Sequence, residues 1–474
     1  MSPRRVGRWL RVGDPHRFGD AAVRFDVGSA LRAGAMAGAI RSAALTGVLD
    51  VVGGMDSVLV TFDPDAVAFD ELTAEVRSIR AHPEPSDPKT VVLPVCFDGA
   101  DLDEVAEATG LGRDGVRRAL LGATLRVAVI GFAPGFAYLA GLPKALAGVS
   151  RRATPRPSVP TGSFAIAAGH AAIYPQSSPG GWNLLGRTDA MLFDAERPPF
   201  ALLGQGDVVR LREVGAGELE FRPPPGGRAF AGPPEGSVFE VESPGLFSAL
   251  QDRGRIGLAH LGVPGAGAAD PDSHELANRL VGNGRDAATL EVTAAGPTLR
   301  CLRATHVAVV GDGVEVALDD RPVGSDRVVP VAPGQRVAIA STGRSMRAWV
   351  AIPGGFVAPT VLGSRSTDRL VGLGPGALSG GDRLQVGAPS GGLGDHLRPG
   401  VLGAGADRRR VIRVLDSDRL HPGLVGGSFE VDERSDRVGL RLRPAGGPFE
   451  VRPGDGPSAG MVTGAIQVPP DGAP

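Results

Sequence analysis

The sequence predicts a mainly β protein with α+β elements, and three observations carry that prediction. Its 71 glycines and 41 prolines are spread through apolar segments and not gathered into one tract, the texture of many short strands joined by tight turns. Short apolar runs such as Thr90–Val95 and Val337–Ala340 recur along the chain, each next to Gly, Pro or a charged residue. Strand and helix patterns alternate regularly only in the segment before Pro88.

That first segment, residues 1–88, reads as a small α/β unit. Ala21–Val27 alternates as a strand, and the Ala-rich stretch Ser29–Ala44 suits a helix. Ser57–Asp63 forms a second strand and Phe69–Ile79 a second helix. His82–Pro88 holds three prolines, which forbid helix and disfavour paired strand, so it reads as a stiff linker. Residues 89–222 open with the strand Thr90–Val95. Two short helices, Leu102–Leu111 and Gly112–Leu121, lead to the strand Val127–Ile130, and the unit closes on Gly206–Leu211. Residues 223–236, rich in Pro and Gly with little to bury, read as a linker.

Residues 237–390 repeat the texture. Val238–Val241, His306–Val310 and Val337–Ala340 read as strands, Ser273–Val281 as a helix, and Gly381–Val386 echoes the earlier closing segment. A weaker echo links Gly186–Asp189 to Ser364–Asp368, so two related units are expected. Residues 391–474 open a further unit with a strand near 411. That unit looks too short to close a barrel of its own and stops just after the apolar run Ala465–Val468.

Composition narrows the function classes. The 50 basic and 52 acidic residues nearly cancel, which gives no polyelectrolyte surface for nucleic acid or an anionic membrane. No apolar run is long enough to span a bilayer. The two early arginines have no apolar stretch behind them, so no signal peptide is read and the expected location is cytoplasmic. Cys96 and Cys301 lie far apart without CxxC or His-rich neighbours, so both are expected as buried apolar side chains and no metal site is expected. Lys89 and Lys144 are the only lysines, and neither sits in a Gly-rich phosphate cradle. A bound ATP would have to be held by backbone amides and arginine.

Four segments could carry chemistry. In Gly131–Leu139, glycines such as Gly135 could bring backbone N–H groups to a ligand while Phe132 walls a pocket. A tight corner with a hydrophobic plug is the plainer reading. Ser177–Thr188 offers a flat face in Trp182, an amide in Asn183 and a guanidinium fork in Arg187, a set that suits a small anionic, amide-bearing ligand. The same Gly-Gly-Trp turn could equally staple a strand end. Gln251 to Asp270 concentrates Asp252, Arg255, His260 and Asp270, either as a salt-bridge patch or as a polar wall for proton transfer. Ser364–Thr367 adds hydroxyls and Arg365.

Gly131–Leu139, Pro155-Arg156, Val159–Ser163, Ile173–Pro175 and Ser178–Thr188 together resemble the family of the 5-oxoprolinase B subunit, which includes allophanate hydrolase subunit 1 and the Kip inhibitor. Residues 237–474 resemble the family of the C subunit, also the Kip antagonist family, through Val241–Gly245, Gln251–Arg255, His260–Pro264, Leu276–Asn283, Leu290-Glu291, Gly363–Thr367, Ser435–Arg437, Gly439–Leu442 and Gly464–Pro469. The chain is thus similar to a fusion of the two, and both resemble the carboxyltransferase region of urea carboxylase. The resemblance implies cyclophilin-like β-barrel domains in tandem, preceded by a small α/β sandwich domain. It implies a hydrolase acting on a cyclic amide, opening 5-oxo-L-proline to L-glutamate with ATP and Mg2+ and with a separate A subunit as partner. A homo-oligomer is compatible with it. Two alternatives share the scaffold: a carboxyltransferase fed by biotin, and a regulator of a histidine kinase.

Under this resemblance the site is expected between the two halves. Phe132, Gly135, Trp182, Asn183 and Arg187 would meet Arg255 and Arg365 to bind substrate, with Asp252, His260 and Asp270 handling protons. Several positions depart from the family pattern. Ala119–Leu121 stands where relatives carry Leu-His-Thr, His170 replaces a Gln and Ala269 a Met, and Ser458–Gly460 replaces Ser-Glu-Gly. Relatives also continue past Ile466–Pro469 into a Thr-Thr-Gly-Gly-Tyr segment that this sequence does not show.

Overall fold

Ser29 starts the first helix: in extended conformation it accepts a hydrogen bond from the Arg32 backbone N–H, and Ala30–Ala43 follows. The helix buries Ala33, Met36, Ala37 and Ile40, the i, i+3, i+4, i+7 face that its small residues allow to sit close on a sheet. The chain is described by a computed structural model over residues 9–82, 88–221, 230, 236–341, 346–389, 391–393, 414, 422–450, 460–469 and 472–474. The sheet under the helix is antiparallel, in the order Pro15–Arg17, Ala22–Asp26, Ser57–Phe62, Val48–Gly53. Together with Phe69–Ser78 it encloses a core built on Phe25, Met36, Ile40, Phe62 and Leu72.

A seven-stranded sheet follows, in the order Asn183–Arg187, Ser163–Ala167, His170–Ile173, Ala137–Ala140, Leu125–Ile130, Val208–Glu213, Thr90–Val95. Its two outer strands meet through the antiparallel bridge between Cys96 and Arg187, which closes the ring into a barrel. Gly186 packs so tightly on the Cys96 carbonyl there that a side chain could not fit. The helices Leu102–Thr109 and Gly112–Leu121 cover the barrel, and Leu93, Leu102, Leu120, Leu125, Leu139 and Phe164 fill its core.

The second half packs two sheets around Phe239, Leu250, Leu290, Leu299, Val350 and Leu384. One runs Arg321–Pro322, Val314–Leu318, Arg336–Ser341, Thr298–Cys301, Ser237–Ser243, Arg383–Val386, Phe356–Val357. The other runs Phe247–Gln251, Thr289–Thr293, Arg347–Ala351, Thr305–Val310, Val328–Val331. The protein is therefore mainly β with α+β elements, as the sequence predicts.

The closing echo is a physical one. In the first barrel the Gly206 N–H donates to the Val127 carbonyl, and the Val127 N–H donates to the Asp207 carbonyl. In the second half, Gly381 donates to Val241 and Val241 to Asp382. Each Asp carboxylate then caps its own turn, from Gly204 N–H at 2.7 Å and from Ser379 N–H at 2.7 Å. Gly-Asp is thus the same locking turn used twice.

Residues 223–229 and 231–235 of the expected linker, residues 83–87 of the other, and most of the strand expected near 411 lie outside the described residues. Toward the C-terminus the described elements are the turn Pro422–Leu424 and the hairpin Phe429–Val431 with Leu442–Pro444. Ile466–Pro469, which the resemblance makes a strand, has no strand partner among the described residues. The helix expected at Ser273 starts two residues earlier, at Pro271, because Asp270 caps it and Pro fits its first turn. Cys96 and Cys301 are free, buried thiols, and burial pushes both upward in pKa. Among the described residues no helix is long and apolar enough to cross a membrane.

Candidate functional site

The two halves touch through a short turn. Ala259–Leu261 forms one 3-10 turn whose first N–H donates to Asp50 Oδ2 at 2.9 Å, reaching across to the first sheet. Asp50 Oδ1 takes the N–H of Val51 at 2.8 Å, so its carboxylate is aimed from both sides. At the other end the Leu261 carbonyl accepts the Gly135 N–H at 2.9 Å. Both glycines of this contact are demanded by geometry. Gly135 has φ 74° and faces the Leu192 carbonyl at 2.7 Å from where a Cβ would sit, and a Cβ on Gly262, at φ 75°, would run into the Ala133 carbonyl.

Between these contacts lies a cavity of about 260 Å³ with walls from three places: Arg41, Val52 and Gly53 from the first unit, Ile130 and Gln205 from the first barrel, and His260 from the second half. The His260 ring has its Nδ1 3.1 Å from the Gly257 carbonyl. A carbonyl only accepts, so Nδ1 carries the hydrogen and Nε2 is left with a bare lone pair. Burial and the nearby Arg41 charge hold His260 below its ordinary pKa, with Asp50 and Gly257 pulling weakly the other way. The ring is therefore neutral at pH 7.

Arg41 donates Nη1–H to the Val51 carbonyl at 2.9 Å and has no carboxylate within ion-pairing distance among the described residues. Burial lowers its pKa, with Asp50 as a partial counterweight, but a guanidinium stays charged at any ordinary pH. Gln205 spends its amide N–H groups on the carbonyls of Ala128 at 2.6 Å and Ala30 at 3.2 Å, which fixes its Oε1 as the free end. Gly53 and Gly34 make room for it: a Cβ on either would lie 2.7 Å from a Gln205 side-chain atom.

The residues expected at the site disperse. Phe132 is 59% exposed in a left-handed conformation, edge-on to Phe136 at 5.3 Å. Trp182 is buried and packs edge-on to Tyr138 at 5.7 Å, a wall of the barrel's own core and not a free face. Asn183 is a staple: its Nδ2 donates to the Ser150 and Ile166 carbonyls at 2.8 and 3.3 Å. Arg187 pairs with Asp98 at 2.8 Å on the barrel seam, so its charge is already met.

Asp252, Arg255 and Arg365 do come together, but with most of their bonding capacity spent on the Ser364–Ser366 turn and on nearby backbone carbonyls. Burial would raise the Asp252 pKa, yet donation from the Ser364 and Ser366 hydroxyls (2.6 Å each) and the Arg365 and Gly254 N–H groups (2.6 and 2.8 Å) lowers it overall. A carboxylate so fully occupied is a poor proton acceptor. Arg255 donates to the Val361 and Ser366 carbonyls at 3.1 and 2.7 Å, and Arg365 to the Ala358 carbonyl at 3.0 Å. Asp270 is a helix cap, taking Ser273 Oγ at 2.6 Å and two backbone N–H groups. Of the ten residues, His260 and Gly135 alone stand at the junction.

Sequence reasoning missed Arg41, Gln205 and Asp50. Arg41 had a signal: it follows Ala37 by four positions, a charge beside the apolar face of an otherwise Ala-rich helix. Gln205, held between Gly204 and Gly206, had a weaker one. Asp50 had none, because its partner lies 209 residues away.

Family models for the carboxyltransferase domain match both halves, subdomains C and D over residues 8–203 and subdomains A and B over residues 261–474. Over 252 residues the chain is 31% identical to the C subunit of 5-oxoprolinase from Escherichia coli, covering 50% of this chain and 78% of that one. The chain belongs to the carboxyltransferase-domain family. It is 40% identical to the B subunit of 5-oxoprolinase from Bacillus subtilis over 129 residues, which is 27% of this chain and about half (53%) of that relative. In the crystal structure of TTHA0988 both halves of the family fold find one counterpart: 32% identity and a TM-score of 0.82 over 99% of this chain and 91% of that one. A single chain thus carries the two family halves, the B-like one first and the C-like one second.

Proposed function

We propose that this chain is the B-plus-C component of an ATP-dependent 5-oxoprolinase, opening 5-oxo-L-proline to L-glutamate together with a separate A subunit. The observation that carries this reading is the junction: among the described residues, the cluster of uncommitted polar groups around a cavity lies where the B-like half meets the C-like half. Its volume, about 260 Å³, is below the range of drug-sized pockets. That suits a compact cyclic amide and does not fit a nucleotide. Among the described residues no carboxylate lines the cavity, so its donors do not fit Mg2+ either, and no step at this cavity runs through ATP. Within the cavity His260 is the proton acceptor: neutral, oriented by Gly257, and offering Nε2 to a water attacking the ring carbonyl.

The test is release of ADP and glutamate by the purified chain, with and without an A-type partner, using urea plus a biotinylated carrier as the control substrate. Both products should appear only with 5-oxoproline and the partner, and His260→Gln should slow them by roughly a hundredfold or more. Silence of a folded protein in every combination overturns the reading.

A further inference from the structure

Arg41 is a charge without an answer. Its guanidinium is partly desolvated, one N–H goes to a backbone carbonyl, and no carboxylate lies within ion-pairing distance among the described residues. The nearest acidic group, Asp50, already accepts from Val51 and Ala259. A desolvated cation left in this state costs stability unless an anion meets it, and the open space beside it is the junction cavity. Two residues that line the same cavity keep an acceptor with no donor among the described residues: Gln205 Oε1, freed because both amide hydrogens point at carbonyls, and His260 Nε2. One cation and two lone pairs in a small space describe a ligand with a negative end and a hydrogen-bond donor.

We infer that the junction cavity binds a small carboxylate that also bears an amide N–H, with Arg41 meeting the carboxylate and Gln205 Oε1 accepting the N–H, which leaves His260 Nε2 for the attacking water. The ligand class rests on the function proposed above; the anion site rests on Arg41 and its surroundings. Gly34 and Gly53 are part of the site, since any side chain there would displace Gln205.

The experiment is calorimetric titration of the full chain with 5-oxo-L-proline, N-carbamoylglycine, N-methyl-5-oxoproline and the neutral 5-oxoprolinamide. The two acids with a free N–H should bind, the N-methyl acid more weakly, and the neutral amide weakest. Arg41→Met should weaken the acids by at least about thirtyfold, the low end for truncating a buried charge pair, and leave the amide unchanged. Arg41→Lys should recover part of the loss, which a misfolded site would not. Arg187→Met, on the barrel seam, should change nothing. Equal binding of acid and amide, unchanged binding in Arg41→Met, or no binding of either free-N–H acid at millimolar concentration each overturns the site. Turnover of 5-oxoproline that ignores Arg41→Met removes the site and keeps the proposed function. Arg41-dependent acid binding by a chain silent in every turnover assay keeps the site and removes that function.

Discussion

Two polar regions of this protein use the same residue types to opposite ends. Around Asp252, two arginines, two serines and a carboxylate are tied together by bonds of 2.6 to 3.1 Å, and of the Arg255 and Arg365 donor groups Arg255 Nη1 alone is buried without a partner among the described residues. At the junction, Arg41, Gln205 and His260 each use part of their bonding capacity to fix their orientation and leave the rest facing a cavity. The first region is closed chemically and holds loops 252–255 and 361–367 together. The second is open. Polar residue type alone does not separate structure from site; what separates them is how much bonding capacity the fold consumes.

The largest expected effect falls on the closed region. Asp252→Ala removes one acceptor and strands two hydroxyls, two backbone N–H groups and the neighbouring Arg255 charge. Breaking a buried charged network this way costs about 3–5 kcal/mol, which should appear as a lowered thermal midpoint of the second half. A change near zero would mean that the network is not what joins these loops. Because its folded pKa lies below the unfolded 3.8, Asp252 contributes stability that is full above that value and is lost as pH falls through the folded one. Asp270→Ala is a smaller break of the same kind: loss of the cap on Pro271–Leu280 should cost about 1 kcal/mol. An effect on turnover much larger than on stability would return Asp270 to the catalytic group.

Much of the fold was legible because it is written locally. Alternation in Ala22–Asp26 and Ser57–Phe62, the Ala-rich helix after Ser29 and the Asp cap within each Gly-Asp turn all depend on neighbours within a few residues. The candidate site was legible only in part. His260 and Gly135 stood out in motif-like segments, and the expectation that function lies between the halves points to the same junction. Arg187 and Asp252 were misleading for one reason: a sequence gives donors and acceptors but not their partners. Asp98 and the Ser364–Ser366 turn, which consume those two, become partners only through barrel closure and a loop crossing more than a hundred residues. Arg41 was overlooked for the converse reason, since nothing local shows that its charge goes unanswered.

The smallest effect is the sharpest test of the contrast. In the closed region an arginine is held by its neighbours; at the junction Arg41 works against its own burial and against His260. Arg41→Met keeps the volume, removes a partly desolvated cation and leaves no buried carboxylate bare, so stability should stay level or rise slightly. The same change should move the His260 titration upward, since Arg41 repulsion is one of the two causes that hold it below 6.5. His260, with its lowered folded pKa, contributes stability that is full above the unfolded value of 6.5 and fades as pH drops below it. In Arg41→Met that fading should be shallower. Ring-resonance titration of His260 by NMR, paired with thermal midpoints at pH 7.5 and pH 5.5, checks both. A clear loss of stability at pH 7.5 with no movement of the His260 titration would make Arg41 a packing residue, and the junction a second closed region.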